Sequence, residues 1–512
     1  MTLVLTGAIA TFDEDGRTLA DGAVYIHDGV IDAVQPRREA PPAGFSRARR
    51  VAVGGNIYPG LIDLHNHLAY NSLPLWKAPR TTPYTSRQQW PGAATYGRDI
   101  SNPAQAMGIA AAAPALRYAE VRAVVGGVTS IQGSPPLTRA YAGWMVRNVE
   151  KEVFPEPAGQ LIFQAVIKAE VDKLRSYAAH LAEGHSFVYH LAEGTAPALN
   201  KEFDDLRTAG CIHPQLIGIH CTALGKEQFQ DWGATPGTVV WSPFSNIWLY
   251  GDTTDVLEAR RQGLTVCLGS DWGPSGTRNL LGELKVAALW NDRSLGGALS
   301  AIELCEMVTS SPGEALRRCW HHDVGRLRAG ALADLMVTSV RDPDIHRSLL
   351  RATERHVRLV VVGGRPAYGN RTLMKAAGAT NLETIAVAGV SKAIAMRLPQ
   401  DLQPDNPALV DEANLSWADG LAAMEAVVKD PAGAVRAARS APKPRGAPVA
   451  LEFVPDMPGA DNEGARELTD DELVGLVIPP IEPLHHDATW FASVRDGHPH
   501  AAVLLGLRDY FP

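Results

Sequence analysis

At 512 residues the chain is longer than one ordinary domain, and ~150 residues per unit suggests two to three units with ample material for a core. Hydrophobic residues make up 46% and charged residues 20%, a globular usage, and no run of 18 or more residues is purely apolar, which argues against a membrane span. The net charge of −8 comes without a Lys/Arg-rich block, so a nucleic-acid partner has no support, and five cysteines (Cys211, Cys221, Cys267, Cys305, Cys319) without CxxC spacing offer neither a disulfide framework nor a thiolate zinc site.

The start, MTLVLTGAIATFDEDG, lacks a basic n-region and reads as a first strand, so a cytoplasmic protein is expected. Residues 1–57 alternate apolar and polar positions around turn signals such as Asp28-Gly29, which predicts a hairpin-containing β unit. From residue 58 to 322 short apolar runs alternate with helical stretches, the pattern of parallel βα units. The runs YPGLIDLH, VTSIQG, WMVRNVE, LIFQAVIK, SFVYHLAE, LIGIHCT, TVVWSP and LTVCLGSD supply the strands of a (β/α)8 barrel, an α/β fold of the TIM type. LADLMVTSV and VRLVVVGGRPAYG, within 323–370, are β-like again and are expected to pair with the N-terminal strands in a small β-sandwich built from both chain ends. Residues 371–512 form a C-terminal extension of open role, with a strand at ETIAVAGV, a helical stretch over 407–440 and a Pro-rich break at SAPKPRGAP.

Chemistry-bearing residues fall at the ends of the apolar runs. His65 and His67, in PGLIDLHNH, stand two apart, so a strand sends both imidazoles to one face, and the C-terminal strand ends of a barrel line its active site. His190 ends SFVYHL and carries Glu193 three residues later; its upstream twin, His180 in DKLRSYAAHLAEG, belongs to a helix with Gly184 as its C-cap. His220 ends LIGIH, where it can ligate a metal or hold a water, and Asp271 closes LTVCLGSD, where a carboxylate needs a partner. A metal supplies one. Three imidazoles and a carboxylate suit one divalent ion, zinc first, with iron or manganese as alternatives.

These motifs, PGLIDLHNH, HLAE, GIH, WSPFSN and LGSD in that order, together with EVRAVVGGVTSI and VGRLRAGALADLMV, resemble the amidohydrolase superfamily over residues 1–370, and in particular its mononuclear adenosine, cytosine and guanine deaminase branch. The resemblance implies that His65, His67, His190 and Asp271 hold the metal, that His220 orients the nucleophile or the developing oxyanion, and that Glu193 protonates the leaving nitrogen. Asp271 would take the proton of the attacking water, whose pKa a divalent ion lowers from 15.7 to about 7. The implied activity is hydrolysis of a C–N bond in a small molecule, by ammonia release or amide opening. Lys168, near the end of LIFQAVIK, occupies the place where binuclear relatives carry a carboxylated lysine; a second metal, with His220 recruited as a ligand, would turn the reading toward amides, esters or phosphoesters. A barrel kept only as a binding scaffold predicts lost ligands, and every ligand is present.

Substrate contacts are expected from the long segment after His67, with Trp76 and Trp90, from Arg147 at the third strand and from Asn246 in WSPFSN; Gln132 and Glu150 are further candidates. The stretch LAYN stands where the deaminases carry Gln or Glu. His485, His486, His498 and His500 lie in a turn-rich segment and are expected to be solvated or structural. A homodimer is compatible with this picture.

Overall fold

The computed structural model describes residues 2–77, 80–153, 156–157, 159–398, 409–441, 449–456 and 476–511. Its strands run in chain order as β1 (Thr2–Ala10), β2 (Thr18–His27), β3 (Val30–Pro36), β4 (Arg49–Pro59), β5 (Leu61–Asp63), β6 (Val128–Ile131), β7 (Arg147–Asn148), β8 (Glu152–Val153), β9 (Glu156–Pro157) and β10 (Ile162–Ala165). They continue as β11 (Ser186–Leu191), β12 (Leu216–His220), β13 (Thr238–Trp241), β14 (Thr265–Leu268), β15 (Leu335–Thr338), β16 (Val357–Val362), β17 (Arg365–Gly369), β18 (Glu383–Val387) and β19 (Val390–Ile394). Among the described residues no helix is long and apolar enough to cross a membrane.

Each of the eight apolar runs contains a strand, and these strands pair in parallel within two sheets: β5-β6-β7, extended by the short antiparallel β8 and β9, and β10-β11-β12-β13-β14. Every residue of β11 and β12 is buried, as strands covered on both faces require. Backbone contacts link the two sheets at both edges. Asn66 and Asp271 form a parallel bridge, with the Asp271 N–H donating to the His65 carbonyl at 2.9 Å, and on the other side the Leu161 N–H donates to the Glu150 carbonyl at 2.8 Å.

The strands at both chain ends meet in one nine-stranded sheet, ordered β18-β19-β17-β16-β15-β4-β1-β2-β3. Antiparallel pairing of β15 with β4, Leu335 opposite Pro59, is the seam between the N- and C-terminal contributions. The strand expected at ETIAVAGV is β18, and with β19 it lengthens this same sheet.

Arg147 was expected at the substrate; the structure places it elsewhere. Fully buried in β7, it donates through Nε to Asp334 Oδ2 at 2.6 Å and through an Nη to Asp334 Oδ1 at 2.9 Å, and Asp334 Oδ1 also accepts the Gly363 N–H at 2.7 Å. The side chain therefore bolts a parallel strand to the nine-stranded sheet. Removing one partner of such a pair strands a buried charge, at a cost of about 3–5 kcal/mol. Arg147→Met is thus expected to lower stability by that order in denaturant unfolding, with KM unchanged; a KM raised more than about tenfold at undiminished stability would restore Arg147 to the substrate.

Candidate metal centre

His65, His67, His190, His220, Glu193 and Asp271 converge, all of them less than 5% exposed. Two overlapping groups of metal-ligand type arise, His65/His190/His220 and His65/His67/Asp271, each with its donor atoms within 4.8 Å of one another. His65 Nε2 lies 3.3 Å and His67 Nε2 3.6 Å from Asp271 Oδ1, while His67 Nε2 lies 3.1 Å from His190 Nε2. The Nε2 of His65 is buried without a hydrogen-bond partner. Nitrogen donors that face one another across so short a gap, with an orphaned ring nitrogen among them, fit a bound cation.

The two HxH imidazoles converge by a route other than simple strand alternation. Strand β5 ends at Asp63, and the chain beyond it is irregular apart from the Asn66–Asp271 bridge. Asp63 holds this segment: its carboxylate accepts the His65 N–H at 3.3 Å, the Asn66 amide at 3.2 Å, the Ser270 N–H at 3.2 Å and the Ser270 hydroxyl. Burial pushes the Asp63 carboxyl up to about 6. The aspartate of PGLID is therefore the clamp between PGLIDLHNH and LGSD, and Gly269 serves the same approach, since a Cβ there would stand 2.4 Å from His65 Cβ. Gln132 and Glu150 also act beneath the HxH: Gln132 accepts the Asn66 N–H at 3.1 Å and donates to Glu150 at 3.0 Å.

One short helix, Pro243–Tyr250, positions much of the centre. Ser242, Asn246 and Tyr250 are spaced i, i+4, i+8 and share a face. Ser242 Oγ lies 2.7 Å from His65 Nδ1, Asn246 Oδ1 lies 2.8 Å from His220 Nδ1, and the Tyr250 hydroxyl donates to Glu193 Oε1 at 2.5 Å. Asn246, expected to touch substrate, instead orients His220; its amide is occupied by Thr253 and Thr254 at 3.1 and 3.2 Å. Burial, reinforced by the Glu193 carboxylate, holds the Tyr250 phenol well above its usual range, so it stays a donor. Glu193 Oε2 is left buried and unpartnered.

Ligation needs neutral rings, and the shifts at His65 and His190 favour that form. Burial and then the neighbouring imidazoles push His65 and His190 well below the usual histidine value. Burial pulls His67 down as well, but the carboxylates of Asp456 and Asp271 overcome it and hold that ring above its ordinary value. Asp271 is raised by burial. The backbone is strained here too: Ala192, His220, Cys221 and Asp271 all have positive φ (50°, 63°, 55° and 57°), a conformation that non-glycine residues keep only where the surroundings enforce it.

Trp76 and Trp90 anchor the 68–100 segment rather than lining the ligand cluster. The Trp76 indole donates to Thr95 Oγ1 at 3.1 Å, and the Trp90 indole donates to the Tyr250 hydroxyl at 3.0 Å. Arg87 of the same segment pairs with buried Glu202 at 3.3 Å and donates to the His190 carbonyl at 2.6 Å. Gly194, at φ 139°, lets this segment lie against HLAEG, where a Cβ would meet the Thr85 carbonyl at 2.3 Å. Lys168 lies three residues beyond the end of β10 at Ala165 and is exposed. His180 is a helix residue stacked on Phe163 at 3.7 Å, and His498 packs under helix 243–250, 2.7 Å from the Trp248 carbonyl. Three partners escaped the sequence reading: Ser242, Tyr250 and Asp456, the last 3.1 Å from His67 Nδ1.

Residues 178–368 match the Amidohydrolase family. The 5-methylthioadenosine/S-adenosylhomocysteine deaminase of Syntrophobacter fumaroxidans is 27% identical over 424 residues, which span 73% of this chain and 94% of that one. Among solved structures, atrazine chlorohydrolase from Arthrobacter aurescens TC1 complexed with zinc is similar at TM-score 0.55 and 19% identity, covering 71% of this chain and 95% of that one. An adenosine deaminase from Xanthomonas campestris with bound zinc is similar at TM-score 0.54 and 20% identity, covering 81% and 98%. A buried His/Asp cluster at parallel strand ends, in a chain with these relatives, defines a metal-dependent hydrolase. The chain carries an Amidohydrolase family match over residues 178–368 and is a hydrolase acting on carbon–nitrogen bonds other than peptide bonds.

Helix 243–250 is itself pinned by Glu283, whose carboxyl accepts the Phe244 N–H at 2.8 Å and pairs with the Thr277 hydroxyl. Burial pushes this carboxyl from 4.5 up to about 8. Because the folded value is raised, its stabilising share is fully present below about 4.5 and is lost as pH rises through about 8. Glu283→Gln, which copies the protonated form, is expected to gain on the wild type by about 1.4 kcal/mol per pH unit across that window. Denaturant melts at pH 5, 6.5 and 8 measure it; a difference that stays constant with pH would refute the protonated assignment.

Proposed function

We propose that this chain is a mononuclear, zinc-type aminohydrolase that releases ammonia from an amino-substituted heterocycle of the adenosine class, its eight parallel strands closed into one barrel with the site at its C-terminal mouth. The observation that carries the reading is Glu193: buried, held at Oε1 by Tyr250, and presenting an unpartnered Oε2 beside the ligand cluster. Edge-to-edge backbone contacts at Asn66/Asp271 and Glu150/Leu161 support the barrel. The deaminases among the relatives support the substrate class, and the exposed Lys168 favours one metal over two.

His65, His67, His190 and Asp271 would hold the ion, and His220 borders them. A divalent cation bound there supplies the Lewis acidity that makes water a nucleophile at neutral pH. Asp271, whose pKa burial raises, receives the proton that water gives up as its oxygen adds to the sp² carbon bearing the amino group. His220, fixed through Nδ1 by Asn246, presents Nε2 to the incoming oxygen while the C=N π pair moves onto the ring nitrogen. Glu193 Oε2 delivers a proton to the exocyclic nitrogen. That C–N bond then breaks as the ring nitrogen's pair re-forms the C=N bond, and ammonia leaves. The hydroxyl proton left on the added oxygen passes to the ring nitrogen to give the carbonyl, and the proton on Asp271 restores Glu193. Tyr250 keeps Glu193 in place throughout.

The purified protein is expected to hold about one zinc per chain and to release ammonia from adenosine-type nucleosides in a coupled assay. Glu193→Gln should lower kcat by about 10²–10⁴ with metal content unchanged, the range for loss of a general acid. Tyr250→Phe leaves a buried carboxylate oxygen without its donor and should cost about tenfold in kcat, near 1.4 kcal/mol. Full activity in Glu193→Gln, or opening of cyclic amides with no ammonia formed from any heterocyclic amine, would overturn the aminohydrolase reading.

A further inference from the structure

The family match ends at residue 368, yet a segment more than 80 residues further on reaches the centre. Residues 449–456 lie as a strap along the loop that follows β6. Thr138 N–H donates to the Glu452 carbonyl at 3.0 Å, Glu452 N–H to Thr138 Oγ1 at 2.9 Å, and Val454 N–H to the Pro136 carbonyl at 3.0 Å. Phe453 bridges Leu137 and is buried over Gly108, where a Cβ would meet its carbonyl at 2.4 Å and its ring at 2.7 Å. So anchored, the strap ends with the Asp456 carboxylate 3.1 Å from His67 Nδ1; its side chain is 5% exposed and Oδ1 is unpartnered.

We infer that Asp456 is a positioning residue of the metal centre: the C-terminal extension supplies the carboxylate that fixes His67 for ligation through Nε2. Rings that bind a metal through one nitrogen commonly donate the other N–H to an outer partner, which sets the tautomer and the ring's orientation. His65 has Ser242, the N-cap of helix 243–250, and His220 has Asn246 within it. His67 is the third, and its partner comes from outside the matched region. Asp456 faces Nδ1 while Asp271 faces Nε2, so the two carboxylates address opposite edges of one imidazole. Asp456 therefore acts through His67 rather than on the ion.

This inference rests on the metal reading above, and zinc affinity separates the two. Titration of the metal-free full chain against a chromogenic chelator gives that affinity independently of turnover. Asp456→Ala is expected to weaken zinc by about 10–100-fold, and Asp456→Asn, which keeps an acceptor, by less. Gly108→Val, remote from every ligand, should push Phe453 aside and weaken zinc in the same direction by unseating the strap. Asp456→Ala binding zinc as tightly as the wild type would overturn the inference and leave the metal reading standing. A wild type that takes up no zinc would remove the metal reading itself.

Discussion

Six ionisable side chains share one water-poor space, and the rest of the structure answers the repulsion and desolvation this entails. Four imidazoles within ring-centroid distances of 4.7–5.4 Å cannot all carry charge, and burial drives His65 and His190 to the neutral form that offers a lone pair. Neutrality alone does not choose which nitrogen faces inward. That choice falls to outer partners, Ser242, Asn246 and Asp456, each occupying an Nδ1. A helix can serve two of the rings and Glu193 because its repeat returns to the same face every fourth residue, which makes Pro243–Tyr250 a ruler laid along the centre.

The backbone bears part of the same constraint. Chain leaving a parallel strand would carry its next side chains away, yet His220 and Asp271 must turn back toward His65 and His67. Positive φ at Ala192, His220, Cys221 and Asp271 accomplishes the turn at a cost of order 1–3 kcal/mol each. The buried clamp of Asp63 with Ser270 and the contact of Glu202 with the Ala192 N–H are the kind of over-determined surroundings that can hold such strain.

How much of this was legible in the sequence follows from the range of each interaction. The eight parallel strands were, because full burial writes itself as short apolar runs. The gathering of His65, His67, His190, His220 and Asp271 was, because strand ends carry histidine and aspartate where apolar runs stop. Partners that meet through tertiary packing were not: nothing in WMVRNVE says that Arg147 turns toward Asp334, 187 residues later, rather than to substrate. Spacing did hold one usable signal, the Ser242/Asn246/Tyr250 period in SPFSNIWLY, which marks one helical face of polar groups in an otherwise apolar stretch. Lys168 went the other way, since an apolar run that reaches the lysine in sequence ends as a strand three residues before it.

The parts that hold the centre and the parts that cover it have different origins, and this bears on how such a site can change. Groups that would ligate or transfer protons stand at parallel strand ends, where the pairing of a whole sheet fixes them. Covering groups come from connections: Arg87 and Trp90 from the segment after His67, the loop around Pro136, and the strap 449–456. Connections tolerate replacement because few core contacts depend on them. A chain can thus exchange what surrounds a substrate without rebuilding what acts on it. Asp456 is the exception that joins the two sets, since the strap that covers the centre also holds one of its imidazoles, so any motion that uncovers His67 also releases the partner of its Nδ1.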